Sequence, residues 1–506
     1  MLELSGAYAP VKNGWVRGER LASGVKAFRG IPFAAPPLGR LRWRPPEPAA
    51  EWLGIRQAVH FGPKAVQADD VAGADPPPEA IERGAIPAVP RSEDCLYLNV
   101  WTPAESSRER LPVFLWIHGG SLVCGAGAHF LNDGAALAER NIVVVTINYR
   151  LGVFGFLAHP ELSAESEQRV SGNYGLLDQL AAIRWVRENI AGFGGDPERL
   201  TVGGQSAGAL AVGALIASPL ARGLFQRATL QSGPPFGLGD CYVRLAAAEA
   251  DGRRFMAAAG AANLAELRAI PAWELFARSR SHSFQTRIVI DGWLLPDAPG
   301  ELIRAGGQNP VALLLGGTSD EFSDGYSADH GLAARDYRRQ LQSRFGPAAA
   351  RLLELYPAGE PYATARSAIR LGADRLLAAA RLVARLVNDQ GNAAYLYYFS
   401  RALAAANRAF YGANHSAELP FVFGIVDKGA LFPWDDRPWD GFDHRYSAAM
   451  MSYWSNFVKN GDPNDAALPR WPRYCPAEDG LMEFGAAIAP TAAPRPEGLA
   501  FLESLF

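Results

Sequence analysis

Residues 111–232 alternate short runs of apolar, largely β-branched residues with segments of helical periodicity, and this alternation constrains the fold most strongly. Such runs are typical of parallel strands that are buried on both faces by the intervening helices. The strand-like runs are 112–117, 142–147, 200–202 and 228–230, and the clearest helix is 176–190, which ends at a breaker cluster over 192–197. The pattern predicts an α/β protein with a mostly parallel central sheet flanked by helices.

The second half of the chain continues this pattern at longer intervals. Strand-like runs return at 311–315 and 394–399, and an Ala/Arg-rich segment that is mostly helical by pattern precedes each of them, over 235–300 and 326–392. We expect one domain over residues 1–506, with these two segments as helical insertions that form pocket walls above the carboxyl ends of the strands. Residues 66–92 contain several prolines and no aromatic residue, which predicts a surface loop.

Composition excludes several classes of partner. The net charge is −3 and no basic block occurs, so we expect no nucleic-acid partner and no binding to an anionic membrane. No apolar run is long enough to span a bilayer. The N-terminal residues lack a basic segment followed by an apolar stretch, and the four cysteines are scattered without a CxxC pair or zinc spacing. These features predict a cytoplasmic protein that holds no metal and needs no cofactor.

The sharpest local motif is Gly204-Gln205-Ser206-Ala207-Gly208, which lies between the predicted strand 200–202 and an apolar, Ala-rich stretch. A G-x-S-x-G pentapeptide between a strand and a helix is typical of a nucleophile elbow. Its glycines are needed because the turn is so tight that a Cβ two residues on either side of the serine would collide. Ser206 is therefore the candidate nucleophile.

A serine nucleophile needs donors for the oxyanion of its tetrahedral intermediate. The stretch His118-Gly119-Gly120-Ser121 follows the predicted strand 112–117, where hydrolases with this elbow place backbone N–H groups. We expect the amides of Gly120, Ser121 and Ala207 to form the oxyanion hole.

The base and the acid are less sharply defined by the residues alone. In this arrangement the acid and then the histidine follow the serine along the chain, which leaves four of the eight histidines: His282, His330, His415 and His444. His415 lies in a breaker-rich loop after the strand 394–399 and is the first choice, with His330 as the second. Asp320 and Glu321 both follow the strand 311–315, and spacing does not separate them.

Several longer stretches resemble the type B carboxylesterase family, which includes the bacterial para-nitrobenzyl esterases and the cholinesterases. The resemblance covers nearly the whole chain and rests on motifs in the same order. They are Phe28-Arg29-Gly30-Ile31-Pro32-Phe33-Ala34, Ser92-Glu93-Asp94-Cys95-Leu96-Tyr97-Leu98-Asn99-Val100, Asn148-Tyr149-Arg150-Leu151-Gly152, Gly175-Leu176-Leu177-Asp178-Gln179, Trp454-Ser455-Asn456-Phe457 and Gly461-Asp462-Pro463-Asn464.

The resemblance implies an α/β-hydrolase fold and a Ser206, His415 and Glu321 triad. It also implies two structural ion pairs, Arg42 with Glu93 and Arg150 with Asp178, that brace loops near the site.

Departures from the family pattern concern the pocket and the cysteines. Gln205 stands where the family usually has glutamate, and Ser121 and Leu122 replace a small residue and phenylalanine, so Gln205 and Leu122 are candidate pocket residues. The usual disulfide partner of Cys95 is replaced by Ala65, which predicts a free thiol.

The sequence thus predicts a serine carboxylesterase that cleaves small-molecule esters through an acyl-enzyme, as a monomer or small homo-oligomer. Amide, carbamate or polyester hydrolysis would use the same triad and stays open. An alternative of another class is a non-catalytic binding module, since some relatives have lost catalysis. A true cholinesterase is disfavoured, because the loop 66–92 offers no aromatic face for a quaternary ammonium.

Overall fold

A computed structural model describes residues 3–68, 89–236, 241–402, 408–425 and 439–506. The strands in these residues are β1 (Tyr8–Val11), β2 (Gly14–Arg17), β3 (Glu19–Arg20), β4 (Lys26–Pro32), β5 (Ile55–Gln57), β6 (Tyr97–Thr102), β7 (Leu111–Ile117), β8 (Val143–Ile147), β9 (Gly195–Gln205), β10 (Arg227–Gln231), β11 (Tyr242–Arg244), β12 (Ile288–Ile290), β13 (Ala312–Thr318), β14 (Ala394–Phe399), β15 (Gly480–Phe484) and β16 (Ile488–Ala492). The α-helices are α1 (Ala135–Ala138), α2 (Gly152–Phe156), α3 (Pro160–Glu165), α4 (Tyr174–Asn189), α5 (Ala207–Ala217), α6 (Leu245–Ala258), α7 (Leu264–Ala269), α8 (Ala272–Ser281), α9 (Pro299–Arg304), α10 (Ala334–Phe345), α11 (Ala349–Leu355), α12 (Pro361–Asp389), α13 (Arg408–Tyr411), α14 (Leu419–Val422), α15 (Gly441–Asn460) and α16 (Pro496–Glu503).

The central sheet has eleven strands in the order β16-β15-β14-β13-β10-β9-β7-β8-β6-β4-β3 within the described residues. The seven strands from β15 to β8 are parallel neighbours, and the strands at both sides add antiparallel pairs. The predicted strand runs correspond to β7, β8, β9, β10, β13 and β14. The mostly parallel α/β sheet predicted from the sequence is confirmed. Its order places β9, which leads into Ser206, between β7 and β10.

The start of β9 differs from the prediction. The cluster 192–197 was expected to be a break before a short strand, but β9 already begins at Gly195, which pairs with Leu111 of β7. A Cβ on Gly195 would lie 2.7 Å from the Ile190 side chain, so glycine lets the strand begin directly below the end of α4. The breakers therefore end the helix as predicted, but they do not interrupt the sheet.

Two apolar cores cover the two faces of the sheet. Along β7, Val113 and Leu115 belong to the core beneath α4, α5 and α12, whereas Phe114 and Trp116 belong to the core beneath α15. This alternation follows from the period of two in a strand. The second core is rich in aromatic rings; Trp454 of α15, for example, packs on Phe484 with ring centroids 5.7 Å apart.

The two predicted insertions are mostly helical. Segment 326–392 holds α10, α11 and α12, and segment 235–300 holds α6, α7, α8 and the start of α9, with residues 237–240 outside the described part. The sequence pattern missed the short parallel pair β11–β12 inside the first insertion. Most of the predicted loop 66–92 also lies outside the described residues, but Val66, Gln67 and Ala68 are buried, so the surface prediction is wrong for these three.

Candidate active site

Ser206 occupies a sharp turn between β9 and α5. Its backbone has φ +57° and ψ −127°, a conformation that L-residues rarely adopt. The turn is held because the Ser206 N–H donates to the Gln231 carbonyl over 2.8 Å and the Ser206 carbonyl accepts from Leu210 N–H over 3.0 Å. A strained residue that the surrounding structure fixes in this way is typical of a functional site.

The glycines on either side of Ser206 have the steric role that the motif predicts. A Cβ on Gly204 would lie 2.5 Å from the carbonyl carbon of Gly208. A Cβ on Gly208 would lie 2.1 Å from the carbonyl oxygen of Ile117, at the end of β7. Glycine at 204 therefore lets the elbow close on itself, and glycine at 208 lets it press against β7.

The loop after β7 lies against this elbow. A Cβ on Gly119 would be 3.1 Å from the Ser206 Cβ, and the next three residues, Gly120, Ser121 and Leu122, have φ of +101°, +54° and +62°. The Gly120 carbonyl accepts the N–H groups of Val123 (2.9 Å) and Cys124 (3.0 Å), which closes the loop into a tight turn. No acceptor in the described part of the chain pairs with the N–H groups of Gly120, Ser121 or Ala207. These three amides are therefore available to a ligand.

Gln67 supports the same loop, and the sequence analysis missed it. Its amide nitrogen donates to the Gly125 carbonyl (2.9 Å), and its amide oxygen accepts the Gly125 N–H (2.8 Å). The Gln67 side chain is fully buried, so this two-point contact fixes the far end of the loop. Gln67 lies two residues after Ala65, and nothing in the local sequence indicates a role at this loop.

The structure brings His415 and Glu321 together. The His415 Nδ1 makes a short hydrogen bond with the Glu321 Oε2, and the Glu321 Oε1 accepts the Thr318 N–H over 2.9 Å. Burial alone would lower the pKa of His415, but the charge and hydrogen bond of Glu321 outweigh it and raise that pKa above its ordinary value. Burial likewise opposes the charge on Glu321, but the imidazole contact keeps its pKa below the usual range.

Asp320, the other carboxylate left open by the sequence, points to the histidine loop. It accepts the Ala413 N–H over 3.0 Å, pairs with Arg366 of α12, and its own N–H donates to the Ala413 carbonyl over 3.1 Å. A Cβ on Gly412 would collide with this carboxylate at 2.1 Å. Asp320 thus ties the loop that carries His415 to the loop that carries Glu321.

The remaining candidate histidines lie apart from this cluster. His282 and His330 are exposed, and His444 lies on α15. His415 makes the carboxylate contact that orients a base.

Gln205 reaches the other nitrogen of the same imidazole. Its amide nitrogen lies 3.1 Å from the His415 Nε2. An amide N–H donates, so Nε2 accepts and the ring carries its proton on Nδ1, against Glu321. Gln205, a candidate pocket residue from the sequence, therefore lies directly beside the candidate base.

A buried network lies behind the triad candidates. The Gln231 amide donates to Glu418 over 2.9 Å and accepts the Trp454 indole N–H over 3.0 Å. Burial raises the pKa of Glu418 to about 7, although the Gln231 hydrogen bond opposes the shift. Gln231 is also the β10 neighbour of Gln205, so this network supports the strand end that holds the elbow.

The two structural ion pairs implied by the resemblance are present. Arg42 contacts both oxygens of Glu93, and Arg150 contacts both oxygens of Asp178 at 2.7 and 2.8 Å. None of the four cysteines, all of which lie in the described residues, forms a disulfide, and Cys95 and Ala65 line the same small cavity. Among the described residues no helix is long and apolar enough to cross a membrane, and no three His, Cys, Asp or Glu residues are grouped to hold a metal ion.

A family model described as the carboxylesterase family matches residues 6–499. The chain belongs to this family. It is 36% identical over 485 residues to the fumonisin B1 esterase of Sphingopyxis macrogoltabida, covering 93% of this chain and 85% of the relative. The structure is similar to that of a para-nitrobenzyl esterase (TM-score 0.84, 30% identity, 98% of this chain and 99% of the other). It is also similar to a Geobacillus stearothermophilus carboxylesterase (TM-score 0.83, 34% identity, 98% and 100%).

These comparisons confirm the resemblance, the α/β-hydrolase fold and the class of enzyme predicted from the sequence. The protein is a carboxylic-ester hydrolase, and the alternative of a non-catalytic binding module is set aside.

Proposed function

We propose that the protein cleaves small carboxylic esters with Ser206 as nucleophile, His415 as general base and Glu321 as the acid that orients the imidazole. The observation that carries this proposal is the position of the His415 ring. One of its nitrogens contacts Glu321, and the other faces Gln205, the residue directly before the strained Ser206.

In the first half of the reaction, His415 Nε2 takes the Ser206 proton as the oxygen attacks the ester carbonyl. Glu321 stabilises the imidazolium that forms, and the free amides of Gly120, Ser121 and Ala207 bind the oxyanion. The alcohol leaves with the proton from Nε2. Water then attacks the acyl-Ser206 by the same route, with His415 again as base, and releases the acid.

The test is the turnover of a nitrophenyl ester by three single variants, Ser206→Ala, His415→Ala and Glu321→Gln. We expect Ser206→Ala and His415→Ala each to lower kcat by about 10³-fold or more, with a double variant no worse than either, because the residues act as one unit. Glu321→Gln should lower kcat by a smaller factor, since it keeps the shape but loses the charge.

The matched control is His330→Ala, at the exposed histidine that the sequence left as second choice. Its kcat should stay within about twofold of the wild type, because surface substitutions rarely disturb a distant site. Near-normal kcat in His415→Ala together with a large loss in His330→Ala would overturn the assignment. A matched nitroanilide measures whether the same triad also cleaves amides.

A further inference from the structure

Phe322, the residue after Glu321, has an unusual backbone for a bulky side chain. Its φ is +61° and its ψ is +18°, in the left-handed region that favours glycine. The residue is also 42% exposed, so burial of the ring in the core does not account for its presence. A bulky residue held in this conformation at the edge of a catalytic cluster points to a role in the site.

The Phe322 ring stacks on the His415 imidazole. The two ring centroids are 5.5 Å apart and the planes are inclined by 21°, which is a stacked arrangement. On α12, a Cβ added to Gly372 would lie 3.3 Å from the Phe322 Cδ2. The ring is thus seated between the imidazole and a glycine of the second insertion, and its exposed part remains open beside the base.

The reaction places one part of the ester next to this ring. His415 must hand its proton to the leaving alcohol oxygen, so the alcohol portion has to approach the imidazole, whereas the acyl portion stays bonded to Ser206. A group attached to the leaving oxygen therefore meets the aromatic side chain that covers the imidazole. The acyl chain has no such requirement.

We infer that Phe322 is a specificity-determining residue that favours esters with an apolar, aromatic alcohol portion over esters of small alkyl alcohols. The inference rests on the proposed roles of Ser206 and His415, because these roles fix which end of the ester faces the ring. An aromatic alcohol group gains a ring contact and buries apolar surface that a short alkyl group leaves exposed.

The experiment uses the full chain with Phe322→Gly and Phe322→Tyr. Glycine removes the ring and suits a φ of +61°, so this change does not strain the loop. Tyrosine keeps the ring and serves as the matched control. One pair of substrates, benzyl acetate and ethyl acetate, shares the acyl group and differs in the alcohol. A second pair, nitrophenyl acetate and nitrophenyl butyrate, shares the alcohol and differs in the acyl group.

We expect Phe322→Gly to lower the benzyl-to-ethyl ratio of kcat/KM by about 3- to 10-fold and to leave the butyrate-to-acetate ratio within about twofold. Phe322→Tyr should keep both ratios close to the wild type. An unchanged benzyl-to-ethyl ratio in Phe322→Gly, or an equal change in both ratios, would overturn the inference.

Labelling with a fluorophosphonate, followed by identification of the modified peptide, separates this failure from a failure of the proposed function. Label on Ser206 in all forms, together with unchanged ratios, refutes only the role of Phe322. Labelling of a residue other than Ser206 in the wild type would refute the triad on which the inference rests.

Discussion

Replacing Gln205 by glutamate should move the acid limb of the kcat/KM profile to higher pH. Gln205 lies 3.1 Å from the His415 Nε2, so a carboxylate there would accept a hydrogen bond from the imidazolium and stabilise it. The pKa of His415 is already raised by Glu321, and a second carboxylate raises it further. The base acts in its deprotonated form, so half-maximal activity on the acid side must shift upward.

The size of this shift follows from the distance and from the exposure of the imidazole. Unit charges about 4 Å apart interact by ~4 kcal/mol at an effective dielectric constant of 20 and by ~1 kcal/mol in water. The His415 side chain is 21% exposed, which places the site between these limits. At ~1.4 kcal/mol per pKa unit, we expect a rise of about 1 to 2 units.

The assay is a pH–rate profile of both forms on a neutral nitrophenyl ester, because a cationic substrate would respond to the new charge directly. Gln205→Met is the control: it removes the amide without adding charge, so its acid limb should move by less than half as much. Salt should reduce the shift in Gln205→Glu but not in Gln205→Met. An acid limb that stays in place or moves downward in Gln205→Glu would refute the reasoning.

Gly208→Ala should yield little folded enzyme, measured by soluble yield and thermal unfolding, because its Cβ would meet the Ile117 carbonyl at 2.1 Å; near-normal yield and activity would contradict this. Asp320→Asn should lower the free energy of unfolding by ~3 kcal/mol in urea titration, because it leaves Arg366 without its charged partner. A loss below ~0.5 kcal/mol would contradict the role of Asp320 in joining the two loops. Burial raises the pKa of Glu418 to about 7, so the protonated form favours the folded state and the wild type should lose ~3 kcal/mol of unfolding free energy as the pH rises from about 4.5 to 8. Glu418→Gln should flatten this pH dependence of the unfolding free energy, and equal pH dependence in both forms would contradict the role of Glu418. Four thiols should react with a thiol reagent in denatured protein without reductant, and two or fewer would reveal a disulfide.

The central parallel strands were predictable because they carry their own signal. The runs that became β7, β8, β13 and β14 are largely apolar on both faces, which is typical of a parallel sheet covered on both sides. The N-terminal strands β1 to β6 lacked such a signal, because a polar residue, glycine or proline interrupts each of their short apolar runs. The breaker residues at the start of β9 misled the prediction because a glycine can end a helix and begin a strand at the same point.

The candidate site was predictable where a motif fixes the backbone. The pentapeptide around Ser206 requires its glycines for steric reasons, and these reasons can be read from the sequence. The choice between Asp320 and Glu321 could not be made from spacing, because adjacent side chains leave the loop in different directions. Gln67 and Phe322 were missed for a related reason: their contacts join segments far apart in sequence.

The most direct test of the proposed mechanism is to quench the wild-type enzyme during turnover of nitrophenyl acetate and to locate the acetyl group by peptide mass spectrometry. We predict an acetylated peptide with the modification on Ser206, and neither acetylation of that peptide nor turnover in Ser206→Ala. Acetyl on another residue, or continued turnover in Ser206→Ala, would contradict the assignment of Ser206 as the nucleophile.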